Sequence, residues 1–357
     1  MASFDIPRLR LYNQHISRAT LDKPGDVVAW LGAVQAQDYL GGLWAVGLRT
    51  SKANEKDVEK AVVDKTIVRT WPMRRTLHFV AAADVRWMLE LLTPRIIAAS
   101  ARRSLLVGLD DRIFARSRAL FAAALEGGKQ LTRSAMYQVL EAAGIATTNY
   151  RGLHILARLA QEGLLCFGAR EGKQPTFALL DEWAPAARTM KRDEALAELA
   201  RRYFTSHGPA TVQDFVWWSG LTTVDARAGI DMAKPHLVRE VIDGQTYWLA
   251  SSMPTAKAPS LAAHLLPPYD EYTVAYKDRS AVLDPLYAKL MNTGNGVFSP
   301  IIVVDGQVVG TWKRALKKGT VVITLAPFTT INKAASRAIA TAASRYGEFL
   351  EAPVVLP

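Results

Sequence analysis

The stretch LTRSAMYQVLEAAGIATTNYRGLHILARLAQEGLLCFGAREGKQPTFALL, residues 131–180, decides how the chain is to be read. Thr132 is a natural N-cap for a helix through SAMYQVLEAA, which Gly144 ends. YRGLHILARLAQEG carries the apolar spacing of a second helix, and LLCFGA and TFALL flank the polar turn REGKQP as the two arms of a hairpin. A further helix, ARSRALFAAALEG, precedes them at residues 115–127. Three helices followed by a two-stranded wing is the winged variant of helix-turn-helix, which can set one helix in a DNA groove and the wing on the backbone. The same module also serves as a protein-binding scaffold.

Outward from this segment the order recurs. Upstream come PRLRLYNQHIS, PGDVVAWLGAV and EKDVEKAVVDK as helices, then TIVRTW and TLHFV as strands. A long helix over residues 82–105 follows, with Pro94 inside it. Downstream, RDEALAELARRYFTSHG, TVQDFVWWSGL and TVDARAGIDMAKP precede strands LVREVI and QTYWL about Asp243 and Gly244. After MPTAKAPS the composition turns to strands, and IIVVDGQVVGTW places Asp305 and Gly306 where a tight primed turn is required. The expected fold is therefore α+β: three tandem winged-helix motifs at residues 1–105, 106–185 and 186–257, then a closed C-terminal β-barrel at 258–357.

The 357 residues carry a net charge of +11, with an excess of +6 in residues 1–105 and +3 in residues 258–357. A basic balance of this kind favours a polyanionic partner. In the last region Lys313, Arg314, Lys317 and Lys318 make a compact basic end, suited to phosphate or equally to guarding a strand edge from pairing. The single cysteine, Cys166, removes intramolecular disulfides and cysteine-rich metal sites and fits a reducing compartment. No signal-peptide pattern and no run of ~18 apolar residues is found, so a cytoplasmic address without membrane contact is expected. The six histidines show no short-range metal spacing, and neither a P-loop nor a dinucleotide fingerprint occurs; TGNGVF at 293–298 lacks the context for either. No metal and no cofactor are expected. The adjacent pairs Asp110–Asp111 and Asp270–Glu271 read as capping or structural groups.

In AWLGAVQAQDYLGG, Gln35 and Gln37 are two apart. On a continuous helix they would diverge by about 200°, so a shared target needs extended or turning backbone, for which Gly41 and Gly42 offer a helix exit. Taken by spacing alone, two glutamines at a helix end are also ordinary polar surface. Together with RTWPMRRTLHFV and LLPPYDEYTVAYKDRS, however, VQAQDYLGG resembles the AlkZ and YcaQ-like winged-helix DNA glycosylases over essentially the whole chain.

That resemblance implies a C-shaped set of three winged helices and a barrel, acting on double-stranded DNA to excise N7-alkylated purines and, in some members, to unhook interstrand crosslinks. It makes Gln35 and Gln37 the catalytic pair, in the Gln-x-Gln form of the AlkZ branch. Arg74, Arg75, Thr76 and His78 become candidate DNA-contacting or supporting residues, with Arg75 standing where the family usually has glycine. It implies no cofactor and no obligate protein partner, and nucleoid-associated work in the cytoplasm. The rival reading is a non-catalytic winged-helix regulator.

Overall fold

The computed structural model describes residues 4–252, 261–291, 294 and 296–356. The MPTAKAPS linker, the expected boundary at 257/258 and part of TGNGVF lie outside them. Two compact units are formed: one from Met1–Glu59 with Leu196–Pro357, the other from Lys60–Ala195. Their seams fall inside the helices Glu55–Val63 and Arg192–Ser206.

In the second unit the helices Asp111–Leu125, Arg133–Ala142 and Arg151–Gln161 precede antiparallel strands Leu165–Phe167 and Thr176–Leu179. Thr132 caps the middle helix by accepting from Ala135 N, and Gly144 (φ +76°) follows its end. The apolar faces of the three helices enclose Phe114, Phe121, Leu125, Met136, Leu140, Ile155, Leu156 and Leu159. Burial of side chains this large contributes roughly 1.5–3 kcal/mol each, which holds three short helices that would be marginal alone. Strands Ile67–Met73 and Thr76–Ala81 extend the same sheet through the pairing of Arg69 with Phe167. The long helix Val85–Leu106 carries Pro94 within it.

The first unit holds the helices Pro24–Leu31 and Tyr39–Gly47, and later Val212–Ser219 and Thr223–Ala233 followed by the hairpin Leu237–Ile242 and Gln245–Ala250. Asp243 (φ +49°) and Gly244 (φ +77°) both adopt the left-handed conformation of the primed turn, as do Asp305 (φ +48°) and Gly306 (φ +84°).

The C-terminal region departs from expectation. Its five strands form an open sheet running, from one edge to the other, Val354–Val355, Thr320–Pro327, Gln307–Lys317, Ile301–Val304 and Ala263–Leu266. The edge strands do not pair with each other, so a closed barrel is replaced by a half-barrel. The physical reason is the helix Lys333–Leu350, whose buried face includes Ile339, Ala343, Tyr346 and Phe349. Tyr346 meets Trp312 of the sheet at 5.2 Å between ring centroids, so a helix covers apolar surface that further strands would otherwise have to enclose.

Candidate active site

The glutamine segment is built by a helix that stops early. Gly32 at φ +78° ends Pro24–Leu31 three residues before Gln35, a conformation a residue with a Cβ resists. The chain then runs extended through Val34–Gln35 and turns at Asp38, whose side chain caps Tyr39–Gly47 by accepting from Gly41 N at 2.6 Å. Extended backbone is what the two-residue spacing of Gln35 and Gln37 requires. Gly41 and Gly42 lie inside the second helix, so they are not the exit expected of them. A Cβ on Gly41 would stand 3.0 Å from the capping Asp38 Oδ1 and 3.1 Å from Pro268, so both the cap and the packing on proline favour glycine there.

Gln35 is 8% exposed and Gln37 is exposed. Behind Gln35 lies a buried polar layer contributed by LLPPYDEY. Glu271, fully buried, accepts from the Gln35 N–H through Oε1 at 3.0 Å and from Trp218 Nε1–H through Oε2 at 2.9 Å. His207 Nε2 stands 3.5 Å from the same Oε2, and burial lowers the imidazole's pKa below its ordinary value. Asp270 turns the other way, taking both terminal nitrogens of Arg49 at 2.8 and 2.9 Å. Arg49 gives its remaining three N–H groups to Gln14 O, Ala45 O and Gln14 Oε1. All five guanidinium donors are thereby used in a site without solvent, the condition under which a buried ion pair is tolerated. Asp270 and Glu271 face different buried partners, and those partners are what sequence reasoning missed. Arg49 stands alone as a cation in the apolar run LWAVGLRTS, the one signal of its burial; nothing in the sequence couples Glu271 to Gln35.

One residue beyond Gln37, Asp38 begins the wall of a pocket of about 290 Å³ lined also by Leu40, Trp44, Pro268, Trp312, Lys313 and Arg314. Two of the predicted basic residues are thus brought beside the glutamine segment. Lys317 and Lys318 sit instead at the exposed tip of the same hairpin, where Lys318 (φ +48°) and Gly319 (φ +81°) make the turn. At ~3.3 Å per residue the tip is roughly 13 Å along the strand from Lys313.

In the second unit Arg74 (φ +52°) and Arg75 (φ +58°) form the two-residue turn between paired Met73 and Thr76. His78 is fully buried: its Nδ1–H donates to Thr76 O at 2.9 Å and its Nε2 accepts from Arg74 at 3.2 Å. The imidazole therefore braces the hairpin turn and orients Arg74, while Arg75 is exposed. A left-handed conformation costs a residue with a Cβ about 1–2 kcal/mol, of which glycine's freedom in the unfolded chain takes back ~0.4–1 kcal/mol. Arg75→Gly is accordingly expected to raise the urea midpoint slightly; a lowered midpoint would mean that side-chain contacts, not the turn, determine this position.

Among the described residues no group of three His, Cys, Asp or Glu side chains could hold a metal ion, and no helix is long and apolar enough to cross a membrane. Cys166 is buried and its thiol pKa is pushed up by burial, which leaves it inert.

A segment with two neutral amides, held from behind by a buried carboxylate, thus lies beside a basic-rimmed pocket in an α+β chain. A family model described as DNA glycosylase AlkZ-like matches residues 28–349, and the chain belongs to that family. It is 27% identical over 321 residues to an interstrand DNA cross-link repair glycosylase of Streptomyces sahachiroi, with 85% of each chain covered. It also superposes on the structure of S. sahachiroi DNA glycosylase AlkZ with a TM-score of 0.82 and 23% identity, covering 99% of this chain and 98% of that one.

Proposed function

We propose that the protein excises N7-alkylated purines from duplex DNA by a hydrolysis that Gln35 and Gln37 assist, and that bulky adducts and interstrand crosslinks are among its substrates. The observation that carries this is the glutamine segment, extended and held at Gln35 N by a buried carboxylate, with Gln37 exposed one residue from a basic-rimmed pocket. The cross-link repair activity named for the S. sahachiroi relative supports the substrate class.

Alkylation at N7 makes the purine cationic, so its departure needs no acid. The C1′–N9 bond breaks, its electron pair leaves with the base, and the base becomes neutral. The sugar is left as an oxocarbenium-like cation, which a water oxygen attacks at C1′ while the surplus proton passes to solvent. Gln37, exposed, orients that water through its amide; Gln35 offers its carbonyl dipole to the sugar cation. A neutral amide pair suffices because the leaving group is already activated.

Under this reading residues 1–105, 106–185 and 186–257 are three winged-helix modules, the first with four helices before its hairpin and the other two with three α-helices each, and residues 258–357 form the half-barrel module. The basic residues Arg74, Arg75, Lys313, Arg314, Lys317 and Lys318 meet phosphates, and Thr76 and His78 hold the wing. The protein then works as a cytoplasmic, nucleoid-associated enzyme with duplex DNA as its partner, needing neither cofactor nor partner protein.

Release of free base from duplexes carrying N7-methylguanine, a bulky N7 adduct or a crosslink is the direct test, run with EDTA present. Release from the first unaffected by chelation supports the reading; binding of undamaged DNA at one sequence with no base released from any duplex would select the regulator instead. For the hairpin, K317E with K318E is expected to reduce the slope of log K against log salt by about two. An unchanged slope would leave the lysines as edge protection only.

A further inference from the structure

Two amides supply dipoles, yet on the glycosylase reading the sugar they face becomes a full cation, and the site places a carboxyl group immediately behind them. Glu271 is 0% exposed, and its Oε1 receives the backbone N–H of Gln35 at 3.0 Å. Trp218 Nε1–H holds the other oxygen, so the carboxylate plane is fixed at both ends. Its position in the chain is fixed as well: the preceding residue, Asp270, is clamped by Arg49 and caps the turn Glu271–Val274 through Tyr272 N. Arg49 is engaged with Asp270, and burial lowers the pKa of the neighbouring His207 below its ordinary value, which disfavours an imidazolium beside the carboxylate. Field from a charge in such a dry surrounding is weakly screened and reaches well beyond contact distance.

Resting on the glycosylase reading above, we infer that Glu271 is a positioning residue for Gln35 that also supplies the formal negative charge stabilising the sugar cation. The carboxylate is withheld from the substrate by one backbone amide. It cannot act as a nucleophile or proton carrier there, which preserves selectivity for bases that leave without help, while its charge lowers the barrier for all of them. A Gln-x-Gln segment thus borrows from LLPPYDEY the ionised group that its own side chains lack.

The experiment compares binding to two duplexes that differ in charge at one sugar: a pyrrolidine abasic analogue, cationic at neutral pH, and its neutral tetrahydrofuran counterpart. The wild-type chain is expected to prefer the cationic duplex by ~100-fold, as transition-state mimics are preferred. E271Q, which removes the charge and keeps an acceptor for Gln35 N–H, is expected to reduce that preference about tenfold and leave tetrahydrofuran binding unchanged. A merely structural role would weaken both duplexes together, and that result, or a full preference retained by E271Q, overturns the inference alone. Equal wild-type affinity for the two duplexes would overturn the glutamine-site reading itself. Should E271Q fail to fold, E271D keeps the charge but draws it back from Gln35. Base release slowed about tenfold or more, with tetrahydrofuran binding intact, then supports the positioning role, and undiminished release overturns it.

Discussion

Gln37→Ala is expected to slow release of N7-methylguanine from duplex DNA about 100-fold or more, the scale at which loss of one preorganised polar group is felt in a transition state. The Kd for the same duplex should move by no more than about threefold, since the side chain is exposed and bears no charge. Gln35→Ala should reach a similar loss of rate. Its side chain is buried to 8% exposure and its backbone N–H, which Glu271 holds, survives the substitution, so the segment keeps its path. Single-turnover rates with saturating enzyme separate the two quantities. Loss of binding in step with loss of rate would reassign the glutamines from chemistry to structure, and an unimpaired Gln37→Ala would remove the water-orienting role.

The second large effect is on folding. Arg49→Met is expected to cost about 3–5 kcal/mol, the range for removing one partner of a buried ion pair. Asp270 would be left charged without solvent, and the Gln14 and Ala45 carbonyls would each lose a donor. Urea unfolding followed by tryptophan fluorescence reads this directly, because Trp44 and Trp218 are buried in the same unit. Adding Asp270→Leu to Arg49→Met should recover part of the loss, since a pair replaced by apolar groups leaves no buried charge. A single variant within about 1 kcal/mol of the wild type would show that water enters this layer. The damage would extend to the site, as Asp270 is bonded to its successor's turn and Glu271 is that successor.

Local chemistry was readable in the sequence wherever it was decided within a few residues. Asp243–Gly244, Asp305–Gly306 and the Thr132 cap are such cases, each a conformation dictated by its own side chains or their absence. The family and the enzyme class were equally legible, through three short motifs. Gly41 is not a helix exit: it packs against its own capping residue Asp38 and against Pro268, the second of these far away in the chain, whereas the exit is Gly32, the glycine just past Leu31. Barrel closure was misjudged for a related reason. Strand content predicts a sheet, but whether its edges meet depends on what else covers the apolar face, and here Tyr346 and its helix do so. The link from Glu271 to Gln35 spans 236 positions and leaves no periodic trace at all.

That separation also orders events during synthesis. Lys60–Ala195 forms a unit from contiguous chain and can mature as it emerges, while residues 1–59 must wait for Leu196 onward before their core can close. Until the ribosome has delivered Glu271, the backbone N–H of Gln35 lacks the carboxylate that holds it. The nascent polypeptide therefore emerges with the glutamine segment incompletely assembled, and its carboxylate partner is delivered 236 residues later.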